Sequence, residues 1–163
     1  MKHIKFLLSL FVLSSVFMFT SCKEDNYLDW KYINQRWYDR AKQDAEQDAA
    51  WQITDSGVLY KVINEGIGDN DYRGHPSDKS AVTIAYTGSF FNDESFDDND
   101  QYSGYLSSFV SGFQESLKMM KTNAIYEVII PYELGYGEDG GARIPPYTTL
   151  KFRIELIEFW TAQ

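Results

Sequence analysis

Residues 110–130 read VSGFQESLKMMKTNAIYEVII, and this stretch decides the fold. Its first half has a helical period. Phe113, Leu117 and Met120 fall on one side of a short helix over 112–120. Its second half, 124–130, reads as a strand. The regions on either side are also strand-like. Upstream, VLYKVI at 58–63 is β-rich and ends in the turn Asn64-Glu65-Gly66. AVTIAYTG at 81–88 is a second strand, continued by Ser89, Phe90 and Phe91, before the turn Asn92-Asp93-Glu94. Residues 102–109 form an aromatic loop or irregular strand. Downstream, 149–159 alternates Phe152, Ile154 and Leu156 with Lys151, Arg153 and Glu155, as a strand with one solvated face does. One short helix among antiparallel strands predicts an α+β domain, its sheet folded over that helix.

An N-terminal extension precedes this domain. Residues 27–50 carry Trp30, Ile33, Trp37, Ala41 and Ala45 at three- and four-residue spacing, with no Gly or Pro, which predicts an amphipathic helix. Its apolar stripe calls for burial, on the chain's own domain or against a partner. Asp55-Ser56-Gly57 is the turn into the domain.

The first residues form no part of the fold. Met1 to Lys5 is basic and 6–20 is almost wholly apolar, but this run is shorter than the roughly 20 residues that span a bilayer. It reads as a signal segment. Cys22, the only cysteine, follows Thr20 and Ser21 at its end. That placement resembles a bacterial lipoprotein signal, with Phe19 where Leu is usual. The resemblance implies cleavage before Cys22, lipid on its residue, and anchoring to the outer membrane of the cell envelope, on the periplasmic side or at the cell surface. The expected division is 1–21 signal, 22–55 tether and N-terminal helix, and 56–163 the domain. The whole chain has a net charge of −9; losing Lys2 and Lys5 leaves 15 less 2, or 13, basic residues against 24 acidic, giving −11. So acidic a chain is no partner for nucleic acid. It also needs the lipid, not surface charge, to hold it at an anionic membrane.

The chemistry on offer is aromatic. After the signal the only histidine is His75, in a polar loop, and no thiolate cluster accompanies it, so no metal site is expected. No phosphate loop and no nucleophile elbow occur, and no cofactor is implied. The acidic run 93–100 lacks the ligand spacing of a calcium loop and reads as a solvated turn, apart from Asp97 beside Phe96. Tyr86, Phe96, Phe109, Phe113, Tyr136 and Phe152 remain. The loop YGEDGGARIPPYTTLKF at 136–152 has a flexible acidic middle and a stiff Pro145-Pro146 end. An apolar pocket with a few hydroxyls is the common form of a small binding site.

These pieces resemble the FKBP-type peptidyl-prolyl cis-trans isomerases over about 56–160. The similarity lies in Ser56-Gly57-Val58-Leu59-Tyr60-Lys61-Val62, Ala85-Tyr86-Thr87-Gly88, Phe96-Asp97, Val110-Ser111-Gly112-Phe113, Ile130-Pro131, Leu134-Gly135-Tyr136-Gly137 and Ile144-Pro145-Pro146-Tyr147-Thr148-Thr149-Leu150-Lys151-Phe152, in the family's order. The resemblance implies an FKBP-like antiparallel sheet wrapped around one short helix. It implies a pocket of Phe96, Phe109, Val110, Phe113, Ile144 and Phe152, with Asp97, Tyr136 and Tyr86 as catalytic groups. The Ile144 N–H and Tyr136 hydroxyl would bind substrate carbonyls. Proline-containing polypeptides would be the substrates and macrolides possible ligands. The chain departs from the family at Phe113, where many members have Trp, and at Asp93, where Gly is usual in the hairpin. Tyr105 and Leu106 are both candidates for the aromatic position between Phe96 and Phe109.

Overall fold

The computed structural model describes residues 27–66 and 74–161. The expected signal segment and Cys22 lie outside the described residues. The elements run α1 (Tyr27–Gln47), β1 (Trp51–Ile53), β2 (Leu59–Asn64), β3 (Ser80–Ser89), β4 (Ser95–Tyr105), α2 (Ser111–Met119), β5 (Ala124–Ile130) and β6 (Leu150–Thr161), with short 3₁₀ turns at Leu106–Ser108 and Tyr132–Leu134. The strands form one six-stranded sheet, ordered β1-β2-β5-β6-β3-β4, in which each neighbouring pair is antiparallel.

The two-residue period of β6 explains how the sheet faces its core. Phe152, Ile154, Leu156 and Phe159 are buried. They join Val82, Ile84, Val128 and Ile130 of the neighbouring strands and Phe113 and Leu117 of α2 in one apolar cluster. The other face carries charge in register. Lys61 pairs with Glu127, and Glu127 with Arg153, so sign alternates across three strands. α2 comes close to β5 at Gly112, where any Cβ would collide with the Ile130 side chain.

α1 lies on the sheet face away from α2. Leu59 and Ile129 are cross-strand partners and buried, yet stand apart from the α2 core cluster. Ile129 instead shares a cleft with Trp37, Ala41 and Ala45 of α1. This helix therefore packs on the chain's own domain. Its stripe matches the expected one except at one position: Ile33 is 44% exposed, while Asn34 is fully buried. The helix also ends sooner than expected. Asp48 accepts the Ala50 N–H through its side chain (3.0 Å) and the Trp51 N–H through its carbonyl (2.9 Å). That turn frees Trp51–Ile53 to pair with β2 as an added strand.

The acidic run is a second correction. Residues 97–100 lie within β4 and not in a turn. β4 is an edge strand, bonded only to β3, so alternate aspartates project into water and discourage further strand pairing. The expected turn at 92–94 does close β3 to β4: Phe90 N–H donates to Glu94 O (2.9 Å) and Asp93 N–H to Phe90 O (3.0 Å). Asp93 takes the left-handed backbone (φ 64°) that Gly would take freely, and its carboxylate receives Lys151 Nζ at 2.6 Å.

Candidate binding site

The concave side of the sheet, the head of α2 and the loop after β5 enclose a slot of about 140 Å³. Phe113, on the first turn of α2, is its floor and is only 3% exposed. Phe109 stacks on Phe113 (centroids 4.9 Å, planes 16° apart), and Phe152 of β6 meets it edge-on (4.9 Å, 87°). Phe96 of β4 stands edge-on to Phe152 at 5.6 Å. Tyr86 contacts both Phe113 and Phe152 edge-on, at 6.1 and 6.3 Å. Val110, Ser108, Asp97 and Tyr136 complete the lining. Such edge and offset contacts lock ring orientations and leave an apolar, preshaped cavity.

Gly88 makes this packing possible. A Cβ there would lie 2.5 Å from Phe96 Cε2 and 2.7 Å from Phe152 Cε1. The Tyr-Thr-Gly strand end is thus a place where two rings rest on bare backbone.

The polar groups sit at the lip. The Tyr86 hydroxyl donates to Asp97 Oδ2 at 2.8 Å. Burial, the hydrogen bond to Asp97 and the Asp97 charge hold the Tyr86 phenol well above its ordinary range. Burial and the Asp97 charge push Tyr136 the same way, although its side chain is partly open (43% exposed). Both phenols therefore stay protonated donors at neutral pH, and the Tyr86 bond orients the carboxylate. The slot continues into an open channel lined by Phe96, Asp97, Tyr136, Ala142, Arg143 and Ile144. The nine expected pocket residues, Tyr86, Phe96, Asp97, Phe109, Val110, Phe113, Tyr136, Ile144 and Phe152, therefore lie around one continuous groove.

Two expectations need correction. The Ile144 N–H is not open to a ligand. It donates to Gly141 O (3.2 Å), and Gly141 N–H returns a bond to Ile144 O (2.7 Å). This reciprocal pair closes the tip of the loop, so Ile144 offers the groove its side chain only. A free donor lies at Val110: among the described residues no acceptor takes its N–H, because it heads α2 where helical partners are missing. The second correction concerns the extra aromatic. Tyr105 is 69% exposed and Leu106 is fully buried in the core. Tyr102 fills the role, meeting Phe109 at 5.7 Å and Tyr86 at 6.5 Å. A β-bulge between Ile84 and Tyr86 shifts the β4 register, so strand alternation counted from Asp97 misses it.

His75 is structural, its Nδ1 lying 3.1 Å from Met120 O at the end of α2. Two further clefts, of about 250 and 240 Å³, run along α1 and share Trp37 and Arg40. Neither gathers a carboxylate, a hydroxyl and an aromatic floor in one place, as the inner slot does.

Residues 73–157 match the family model described as FKBP-type peptidyl-prolyl cis-trans isomerase. The chain is 36% identical over 110 residues to the FKBP-type 22 kDa peptidyl-prolyl cis-trans isomerase of Escherichia coli (strain K12), a match covering 64% of this chain and 51% of that protein. It is 32% identical over 110 residues to the outer membrane protein MIP of Legionella longbeachae, covering 64% and 45%. The crystal structure of FkpA from Escherichia coli superimposes with a TM-score of 0.74 at 26% identity, covering 83% of this chain and 63% of that one. The matched region thus spans about half the length of these two relatives. On this evidence the chain belongs to the FKBP-type peptidyl-prolyl cis-trans isomerase family.

Proposed function

We propose that this member of the FKBP-type family isomerises Xaa-Pro bonds in exported polypeptides at the cell envelope. The observation that carries the proposal is an aromatic slot of proline-ring size with the Tyr86–Asp97 pair, bonded at 2.8 Å, at its lip. Rotation about a peptide bond crosses a barrier of about 18–20 kcal/mol because the C–N bond is partly double. For Xaa-Pro the isomers differ by only about 0.5–1 kcal/mol. The reaction is therefore slow but nearly balanced, and needs neither nucleophile nor proton transfer. It needs a surface that binds the twisted amide better than either planar form.

Each part of the groove has a task in that reaction. Phe113, Phe109, Phe152 and Phe96 hold the pyrrolidine ring out of water. Desolvation weakens the polar, planar amide relative to the twisted one, in which nitrogen and carbonyl no longer conjugate. Asp97, oriented by Tyr86, presents its charge to the carbonyl carbon as it loses that conjugation. The Tyr136 hydroxyl and the Val110 N–H donate to carbonyls flanking the ring and fix the peptide on either side of the rotating bond. The same donors suit a macrolide ligand with paired carbonyls.

The test is the chain from Lys23 onward, assayed for exchange of an Xaa-Pro peptide. Catalysed exchange supports the reading, and exchange at the uncatalysed rate rejects it. A second reading, a non-catalytic binding module or envelope chaperone, draws support from Phe113 standing where many members carry Trp. Background isomerase rates with retained suppression of client aggregation favour it. For the cellular setting we propose lipid on Cys22. Cys22→Ser is expected to move the full chain from the membrane to the soluble fraction, and unchanged membrane recovery argues against the anchor.

A further inference from the structure

The helix α1 lies wholly outside the residues matched to the family, yet two of its residues bond directly to the groove's loop. Trp30 Nε1 donates to Thr148 Oγ1 at 2.9 Å, and the same hydroxyl donates to Pro145 O at 2.6 Å. Pro145 directly follows Ile144, which lines the channel. One turn on, the fully buried Asn34 takes the Thr149 N–H on Oδ1 (3.0 Å) and returns its amide to Trp30 O (2.9 Å). Between them Lys31 Nζ sits 4.0 Å from the centroid of the Tyr147 ring. Tyr147 needs holding, because it has the left-handed backbone (φ 60°) that a bulky residue rarely adopts. Its N–H donates to Gly137 O at 2.9 Å, joining the two stems of the loop beside Tyr136.

Trp30 also reaches the opposite wall. Its indole meets Phe90 edge-on at 5.6 Å and Phe91 at 5.4 Å. Phe90 in turn lies 5.0 Å from Phe96, which lines the slot and the channel alike. One side chain is therefore connected to the loop through Thr148 and Pro145 and to the β4 wall through Phe90.

We propose that α1 is a brace setting the width of the groove, with Trp30 and Asn34 as positioning residues for its activity. The part concerning turnover rests on the isomerase reading; the part concerning loop geometry does not. The Trp30 bond fixes the loop's return and the Phe90 contact fixes the wall facing it, so loosening both lets the two sides move independently. Misplacement of a substrate-holding element costs rate without touching the reacting groups.

The test compares Trp30→Phe, which keeps a ring but removes the donor, with Tyr38→Phe. Tyr38 ties α1 to Gly57 O (2.6 Å), away from the groove. Thr148→Val removes the same bond from the loop side and serves if Trp30→Phe does not fold. Full chain in detergent is followed by amide hydrogen exchange at Ile144 and Thr149 and by steady-state isomerase kinetics. Trp30→Phe or Thr148→Val is expected to speed exchange at both amides about tenfold. Either is expected to lower kcat/KM about fivefold, chiefly through KM, because the loosened loop holds substrate less well. Tyr38→Phe is expected to leave both at wild-type values at equal fraction folded. Wild-type exchange at Ile144 and Thr149 in the Trp30 and Thr148 variants overturns the brace, as does an equal response to Tyr38→Phe. If the wild type has no isomerase activity the functional reading fails, and the exchange data still decide the brace.

Discussion

The two helices lie on opposite faces of one sheet and are held by different physics. α2 is fixed by apolar burial: Phe113 and Leu117 enter the main core, and Gly112 lets the helix sit against Ile130. α1 buries less carbon and relies on directed bonds from Trp30, Asn34 and Tyr38 to loops. Apolar packing tolerates small rotations of a helix, whereas a hydrogen bond to a buried backbone N–H does not. The first kind of attachment builds a slot, and the second sets where a loop stands over it.

The largest expected effect strikes the α2 side. Phe113→Ala removes the floor and is expected to cost about 3–5 kcal/mol of stability, read by chemical denaturation, with loss of ligand binding. A cost below about 1 kcal/mol would show that the ring is not a core member. Gly88→Ala comes next, since its methyl must displace Phe96 and Phe152. It is expected to cost about 1–3 kcal/mol and to distort the slot with α1 intact. Asn34→Ala tests the other attachment. It strands the buried Thr149 N–H, at a cost of about 1–3 kcal/mol. Its signature is faster exchange at Thr149 with the α2 amides unchanged, so equal loosening of α2 would erase the distinction drawn here. The smallest effect concerns pH. Tyr86 and Tyr136 have phenols raised above their ordinary value of about 10. Folding favours their protonated forms, so this contribution is whole below about pH 10 and is lost only as pH rises through the raised values. Melting temperature is expected to show no step from these groups between about pH 7 and 9, and to fall in wild type more than in Tyr86→Phe above about pH 10.

The same contrast explains what could be read from the chain. α2 and β6 are legible because apolar residues recur at the helical and strand periods, and both faces met the partners those periods require. The slot rings were legible through motifs at Tyr86, Phe96, Val110, Phe113 and Phe152. α1 was misread at one position only, because hydropathy favours Ile33 over Asn34, and only a backbone N–H distant in sequence makes burying Asn34 favourable. The strand Trp51–Ile53 was hidden because the turn before it is made by an Asp48 side chain and not by Gly or Pro. Tyr102 was missed through a bulge, and the Ile144 amide was misassigned through a loop-tip bond. Both depend on register and closure, which composition does not record.

The central claim is that the lip of the aromatic slot acts on a twisting prolyl bond. Exchange of an Xaa-Pro peptide, measured with wild type, Asp97→Ala and Tyr136→Phe at equal fraction folded, tests it most directly. The account predicts catalysis by wild type and a loss of about tenfold in kcat/KM in at least one variant, equivalent to about 1.4 kcal/mol of transition-state stabilisation, with unchanged melting temperatures. Wild-type rates in both variants would contradict it.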